Sequence, residues 1–269
     1  MGCKKTYKKN KGYFPGIATI GNKIVGIENR DGNVKFKQKD TLERFYTQLE
    51  SEGISINRSR MDGGSYSKKI INVVDKHSKL FYIRANKSAD LFEQINNITD
   101  WKTIEINFKN YEVTSIPFTQ FYEDKNYRLV IMHEKNDDRQ LDIFTQDTYV
   151  YRSILTNDHE STEKEVIEYY NAKGKSKKIF DEMNNDFGWK RLPFTFLNEN
   201  NSFMIITAII KNFYKYIIAI VAKKFVDINP TTRIKRFVFR FITVARRWVY
   251  QGRKWILKLF TKRPYYQLI

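Results

Sequence analysis

The stretch Ser55-Ile56-Asn57-Arg58-Ser59-Arg60-Met61-Asp62-Gly63-Gly64-Ser65 decides how this chain is read, with Asp62 at its centre. Ile54 and Ile56 alternate with polar residues and lead into Asn57, Arg58 and Arg60. Asp62 and a glycine pair follow, then an apolar-periodic run from Tyr66 to Val74. That order predicts a strand, a tight turn and a helix. Two glycines let the backbone turn sharply, and Ser65 is placed to cap the helix. An acid at the point where a strand gives way to a helix lies at the carboxyl end of the sheet, where α/β proteins hold reactive groups. Spacing alone fits a solvated turn aspartate equally well.

Outward from this stretch the pattern is mixed α/β. Ile17–Ile20 and Lys23–Ile27 are short β-type runs around Gly21-Asn22, a two-residue hairpin signal. Asp40-Thr41-Leu42-Glu43 predicts a capping box and a helix with Leu42, Phe45, Tyr46 and Leu49 on one face, closed by Gly53. Leu80–Arg84 reads as a strand and Ala89–Ile98 as a short helix. Between 101 and 147, β-rich runs at 103–108, 111–116, 128–132 and 141–144 predict an inserted antiparallel sheet. A strand at 149–155 and helical sequence from Ser161 to Asp186, broken at Gly174, follow.

The chain has 269 residues, 41% of them hydrophobic, so it can build a sizeable core. Its formal charge of +18 points to a polyanionic partner: DNA, RNA or an anionic membrane surface. Cys3 is the single cysteine, which excludes an internal disulfide and a thiolate metal site. His77, His133 and His159 form no ligand motif, and the N-terminus fits neither a signal peptide nor a lipidation pattern. No Gly-rich phosphate loop and no Ser/His/Asp grouping supports a kinase-like or hydrolase reading.

From residue 201 onward Asp227 is the sole acid, so about three quarters of the net charge sits in the last quarter of the chain. Phe203–Lys224 is apolar enough to raise the question of a membrane span. Lys211 and Lys215 in its middle argue against insertion, and the run reads as a core helix with both lysines on its open edge. Ile234, Phe237, Val238, Phe241, Ala245 and Trp248 share one helical face, with Arg233, Arg236, Arg240 and Arg247 opposite. An amphipathic basic helix that contacts phosphates is expected there.

Three motifs in order carry a resemblance: Gly12–Ile20, Asn57–Ser67, and Tyr169–Gly174 continued through Asn185–Pro193. Together they make the chain similar, nearly end to end, to bacterial insertion-sequence transposases of the DDE type, in the group with a β-rich insertion between the second and third catalytic acids. The resemblance implies an α/β, RNase H-like mixed sheet flanked by helices, an inserted antiparallel β subdomain, and a helical basic C-terminal region. On that reading 1–100 is the first part of the RNase H-like domain, 101–147 the insertion, 148–200 the remainder and 201–269 the basic region.

In the family two Asp and one Glu hold two Mg²⁺ ions, which activate the attacking oxygen and stabilise the leaving one. Asp62 matches the second acid and the metal position. The first Asp belongs on a strand before Gly12, which is expected to be missing from this chain. The family Glu position is taken by Lys177, which repels a cation rather than binding it. Asp181 lies about 6 Å further along the helix, too far to replace it, and Glu182 points about 100° further round. The resemblance therefore implies duplex DNA at the element's terminal repeats as partner, with Arg58, Arg60, Lys173, Arg233, Arg236, Arg240 and Arg247 as phosphate contacts. It implies a homo-oligomer in a bacterial cytoplasm, associated with the nucleoid and without stable membrane insertion. Mg²⁺ belongs to the family, while Lys177 works against holding it here. The expectation is a catalytically impaired copy that retains DNA binding; the alternative is a basic membrane-surface or non-enzymatic DNA-binding protein.

Overall fold

The computed structural model describes residues 5, 9, 11–32, 38–86, 88–122, 124–135, 149–172, 174–225, 228–243 and 245–260. It divides into two compact units, one of residues 35–174 and one of 1–34 with 175–269. The β run expected at 141–144 and the candidate Lys173 lie outside the described residues.

The second of these units opens with a hairpin, β1 (Gly16–Ile20) and β2 (Lys23–Glu28). Ile20 pairs with Lys23 across Gly21-Asn22, and Gly21 has φ +61°, the left-handed value a tight hairpin needs at its first loop position. The hairpin is a two-stranded sheet of its own.

The unit 35–174 is built on one six-stranded sheet. Its elements are α1 (Gln38–Ser51), β3 (Ile56–Met61), α2 (Lys68–His77), β4 (Ser78–Arg84), α3 (Ala89–Asn96), β5 (Lys102–Ile106), β6 (Lys109–Phe118), β7 (Tyr127–Lys135), β8 (Tyr149–Thr156) and α4 (Glu163–Asn171). Strand order is β3-β4-β8-β7-β6-β5, parallel between β3 and β4 and antiparallel elsewhere. The strands expected as a separate insertion thus continue the main sheet. Their β-branched and aromatic residues are apolar toward both faces, so β7 can run between two neighbours with helices above and below.

Alternation sorts the core into two layers. Phe81, Ile83, Leu129, Ile131 and Leu155 face α1, α2 and α3, where Tyr46, Ile70, Ile71, Val74 and Phe92 meet them. Tyr82, Val130, Met132 and Ile154 face the other way, onto Val166, Ile167 and Tyr170 of α4. Side chains on a strand alternate between faces, which is why Phe81 and Ile83 go one way and Tyr82 the other. Gly53, at φ +72°, ends α1, and the Ile54 amide donates to the Leu49 carbonyl at 2.9 Å. Helix α1 starts at Gln38, so Asp40 lies in its first turn, where its charge suits the helix dipole, rather than at the cap.

After α4 the chain forms α5 (Gly174–Asp186), α6 (Leu197–Val221), a single turn α7 (Ile234–Phe237) with a π-type turn at 238–242, and the strands β9 (Ala245–Gln251) and β10 (Lys254–Phe260). Ile24 of β2 packs with Ile179 and Met183 of α5 and Met204 and Ala208 of α6. The expected long basic helix is overturned here: after the helical turns at 234–242 the segment becomes a β-hairpin. Gly252 and Arg253 both have positive φ, +61° and +60°, which is the two-residue turn that matches strand twist. Trp248, Val249 and Tyr250 on one side and Trp255 and Ile256 on the other are strand formers, and they outweigh the 3.6-residue spacing of the arginines.

Helix α6 also departs from expectation. Lys211 and Lys215 are not on an open edge. Lys211 is wholly buried and donates to the Asn22 carbonyl, and Lys215 pairs with Glu182 at 2.6 Å. Burial pulls the Lys211 ammonium below its usual range, while Glu182 acts in the opposite sense.

Candidate functional site

Three buried hydroxyls fix the strand that leads to Asp62. Tyr46 of α1 and Ser59 of β3 are 2.7 Å apart, and Ser59 and Ser78 of β4 are 2.5 Å apart. Ser59 points inward, so Arg58 and Arg60 point to the other face. Both guanidinium groups lie over the ring of Tyr169, at 5.3 and 5.1 Å, and Arg60 also donates to the Tyr169 carbonyl. Arg58 stays exposed and Arg60 is half-buried.

Asp62 ends β3 in an extended conformation and opens a 3-10 turn at Gly63–Ser65, whose Ser65 amide donates to the Asp62 carbonyl at 3.0 Å. Its side chain caps nothing. Ser65 is buried inside the turn and does not cap α2; Ser67 holds the cap position, also without a side-chain bond. Gly63 lies close to the side chain of Asn86. A Cβ there would come within 2.7 Å of Asn86 Oδ1, next to the end of β4. Asp62 is exposed, and its charge reaches Tyr170 on α4. Burial pushes the Tyr170 hydroxyl up, Arg84 and Arg60 pull it down, and Asp62 pushes it further up. Asp62, Arg60, Arg84 and Tyr170 therefore share one electrostatic field at the carboxyl ends of the parallel strand pair.

Lys177, Asp181 and Glu182 lie on α5, in the other unit. Lys177 is exposed. Asp181 accepts from Arg233 at 2.9 Å and from Asn185 at 2.6 Å. Glu182 is buried against Lys215. Among the described residues no three His, Cys, Asp or Glu side chains form a group able to hold a metal ion.

The basic segment is sorted by the hairpin. Residues 228–260 hold nine Lys and Arg and no acid. Seven of the nine are exposed: Lys235, Arg236, Arg246, Arg247, Arg253, Lys254 and Lys258. Arg233, expected among the phosphate contacts, is committed elsewhere. It grips Asp186 with two bonds of 2.7 and 3.1 Å and Asp181 with a third. Arg240 is half-buried, and Arg236 and Arg247 remain exposed. Arg246, Arg253, Lys254 and Lys258 escaped the helical reading. Their signal was the run of aromatic and β-branched residues, Trp248-Val249-Tyr250 and Trp255-Ile256, on both sides of Gly252.

Register assigns the two hairpin faces. Arg247 pairs with Lys258 and Gln251 with Lys254, giving one face three cations on either side of the Val249–Ile256 pair. Tyr250 pairs with Trp255 and Trp248 with Leu257, giving the other face aromatic and apolar groups, with Arg246 opposite Leu259 at its far end; Tyr250 and Trp255 are 5.3 Å apart. Trp248, Tyr250 and Trp255 are all more than half exposed. No protein-family model matches the chain, and no curated protein matches it.

Proposed function

We propose that this chain is a DNA-binding relative of the DDE-type insertion-sequence transposases, impaired in strand cleavage by Lys177 at the place of the family's glutamate. The observation that carries the proposal is the acid-free segment 228–260, with seven exposed cations on a hairpin and the turn before it. Cations without neighbouring acids cannot neutralise one another, so their counter-charge comes from a polyanion. Asp62 at the end of a parallel strand, followed by a glycine pair and a helix, is consistent with the RNase H-like part of the reading. Lys177 and the engaged Asp181 argue for binding without cleavage. The protein would act at the nucleoid, on duplex DNA.

The test is fluorescence anisotropy of a labelled duplex across a salt series. Log affinity should fall linearly with log salt, and Gln at Arg246, Arg247, Lys254 and Lys258 should flatten the slope by about 0.9 for each phosphate no longer neutralised. An unchanged slope would sink the proposal. The aromatic face of the hairpin favours a second reading, adsorption to an anionic bilayer. Sedimentation with phosphatidylserine vesicles, in the absence of any duplex affinity, would select it.

A further inference from the structure

Building on the DNA-binding reading of the β9–β10 hairpin, we propose that its aromatic face stacks on unpaired DNA bases, so that the chain prefers DNA with a single-stranded stretch to a closed duplex. Trp248, Tyr250 and Trp255 share that face and are 60% to 67% exposed. Tyr250 and Trp255, paired across the strands, are tilted by 56°, so the two rings do not cover each other face to face. Large rings are ordinarily buried, and three of them open on one small ribbon mark a surface that is covered in use.

Charge and spacing choose the occupant. Residues 228–260 carry nine Lys and Arg and no acid, so the occupant is an anion. Arg246, opposite Leu259, stands at one end of the aromatic face, and Arg253, exposed in the turn, at the other. A closed duplex can use those cations but not the rings, because its bases stack flat on one another and show the grooves only their edges. An unpaired base offers its flat face, and stacking on an aromatic side chain does not depend on which base it is. Side chains two residues apart on a strand stand about 6.8 Å apart, twice the ~3.4 Å rise per base in one strand of a duplex. Trp248 and Tyr250 can each take a base only where neighbouring bases have parted, as an opened strand allows. A bilayer would accept the rings as well, but Arg247, Lys254 and Lys258 on the opposite face would then point away from its headgroups. DNA that opens at the hairpin uses both faces, its duplex against the cations and a freed strand against the rings.

Fluorescence anisotropy of the full chain on three labelled DNAs tests it. They are a blunt duplex, the same duplex with a tail of about six thymidines, and the same duplex with an equally long abasic tail. The abasic tail keeps the phosphates and lacks the bases. The thymidine tail should tighten binding at least ~10-fold over the blunt duplex and the abasic tail no more than about 2-fold, because stacking contributes roughly 5-fold or more per base. Replacing Trp248, Tyr250 and Trp255 together by Ala should remove the tail's advantage and leave blunt-duplex affinity within about 3-fold. Should that variant lose the hairpin, the comparison of the two tails on the unmodified protein still decides. Equal affinity for the two tails, or a tail advantage that survives the triple variant, would overturn the proposal. Blunt-duplex binding with the expected salt slope would then leave the DNA-binding reading standing without it, whereas failure of all three DNAs to bind would remove both. Phosphatidylserine vesicles bound through the three rings, with the two tails bound alike, would overturn it in favour of a bilayer.

Discussion

Asp158→Asn should destabilise the unit 35–174 in a pH-dependent way. Asp158 lies between β8 and α4 and is 2% exposed. One carboxylate oxygen accepts the Tyr82 hydroxyl at 2.6 Å; the other accepts the amides of Glu160 and Ser161 at 3.1 and 3.0 Å. Burial pushes the carboxyl up, but the bonds from Tyr82, Ser161 and Glu160 outweigh it and bring it from 3.8 to about 2. That fall corresponds to about 2.4 kcal/mol of stability near neutral pH. The folded value lies below the unfolded one, so the contribution is complete above pH ~5 and fades as pH falls toward 2, with roughly 1.3 kcal/mol left at pH 3. Asparagine keeps the shape and a carbonyl for the two amides, but its NH2 group replaces the oxygen that accepts the Tyr82 hydroxyl, and the charge is lost.

Urea denaturation of both proteins at pH 7 and pH 3 measures the difference. The variant should lose about 2–3 kcal/mol at neutral pH and about half as much at pH 3. A gap that is the same at both pH values would mean that packing, not charge, carries the effect. A gap below about 0.5 kcal/mol at pH 7 would mean that the network contributes nothing measurable. The site has a stake in the result, because this network ties β4, the neighbour of Asp62's strand, to the start of α4, which carries Tyr169 and Tyr170.

Arg233→Ala strands Asp186, whose side chain is 3% exposed, and should cost about 3 kcal/mol in a denaturant melt. DNA affinity per folded molecule should not change, because Arg233 is spent on acids. Gly63→Ala brings a Cβ to within 2.7 Å of Asn86 Oδ1, the far end of a side chain that can turn aside, and should cost no more than about 1 kcal/mol by thermal unfolding; Gly64→Ala, whose Cβ meets Asp62 Oδ1 at 3.3 Å, should cost less. The unmodified chain and Lys177→Glu should both leave a labelled element end uncut in Mg²⁺ or Mn²⁺. Nicking by the unmodified chain that Asp62→Ala abolishes would refute the impaired reading and make Asp181 the acid to pursue.

The elements around Asp62 were legible because local signals agreed there. Alternation at Ile54 and Ile56, the glycine pair and the 3.6-residue run of Ile70, Ile71, Val73 and Val74 all pointed one way. Two things were not legible. The β-rich stretch from 102 to 135 could be read as strands, but whether strands found a new sheet or extend an old one depends on pairing between β8 and β4, far apart in sequence. Lys211 and Lys215 seemed solvent-bound because a lysine is seldom buried. Their partners, the Asn22 carbonyl and Glu182, come from elements that no helical wheel contains.

The basic segment shows what a change of fold does to a reading of charge. A helix and a hairpin with the same composition carry the same net charge, so the attraction to a polyanion survives the change from one to the other. What changes is which cations can deliver it. On a helix, Arg233, Arg236, Arg240 and Arg247 would form one row. In the structure that row does not exist: Arg233 holds α5, Arg240 is half-buried, and the strand register builds another group from Arg247, Lys254 and Lys258. A two-stranded ribbon this exposed gains little from its own packing and is marginal by itself. Like charges opposite one another, as at Arg247 and Lys258, weaken it further. Both costs fall when a polyanion lies along the cationic face, so binding should order the hairpin as well as neutralise it.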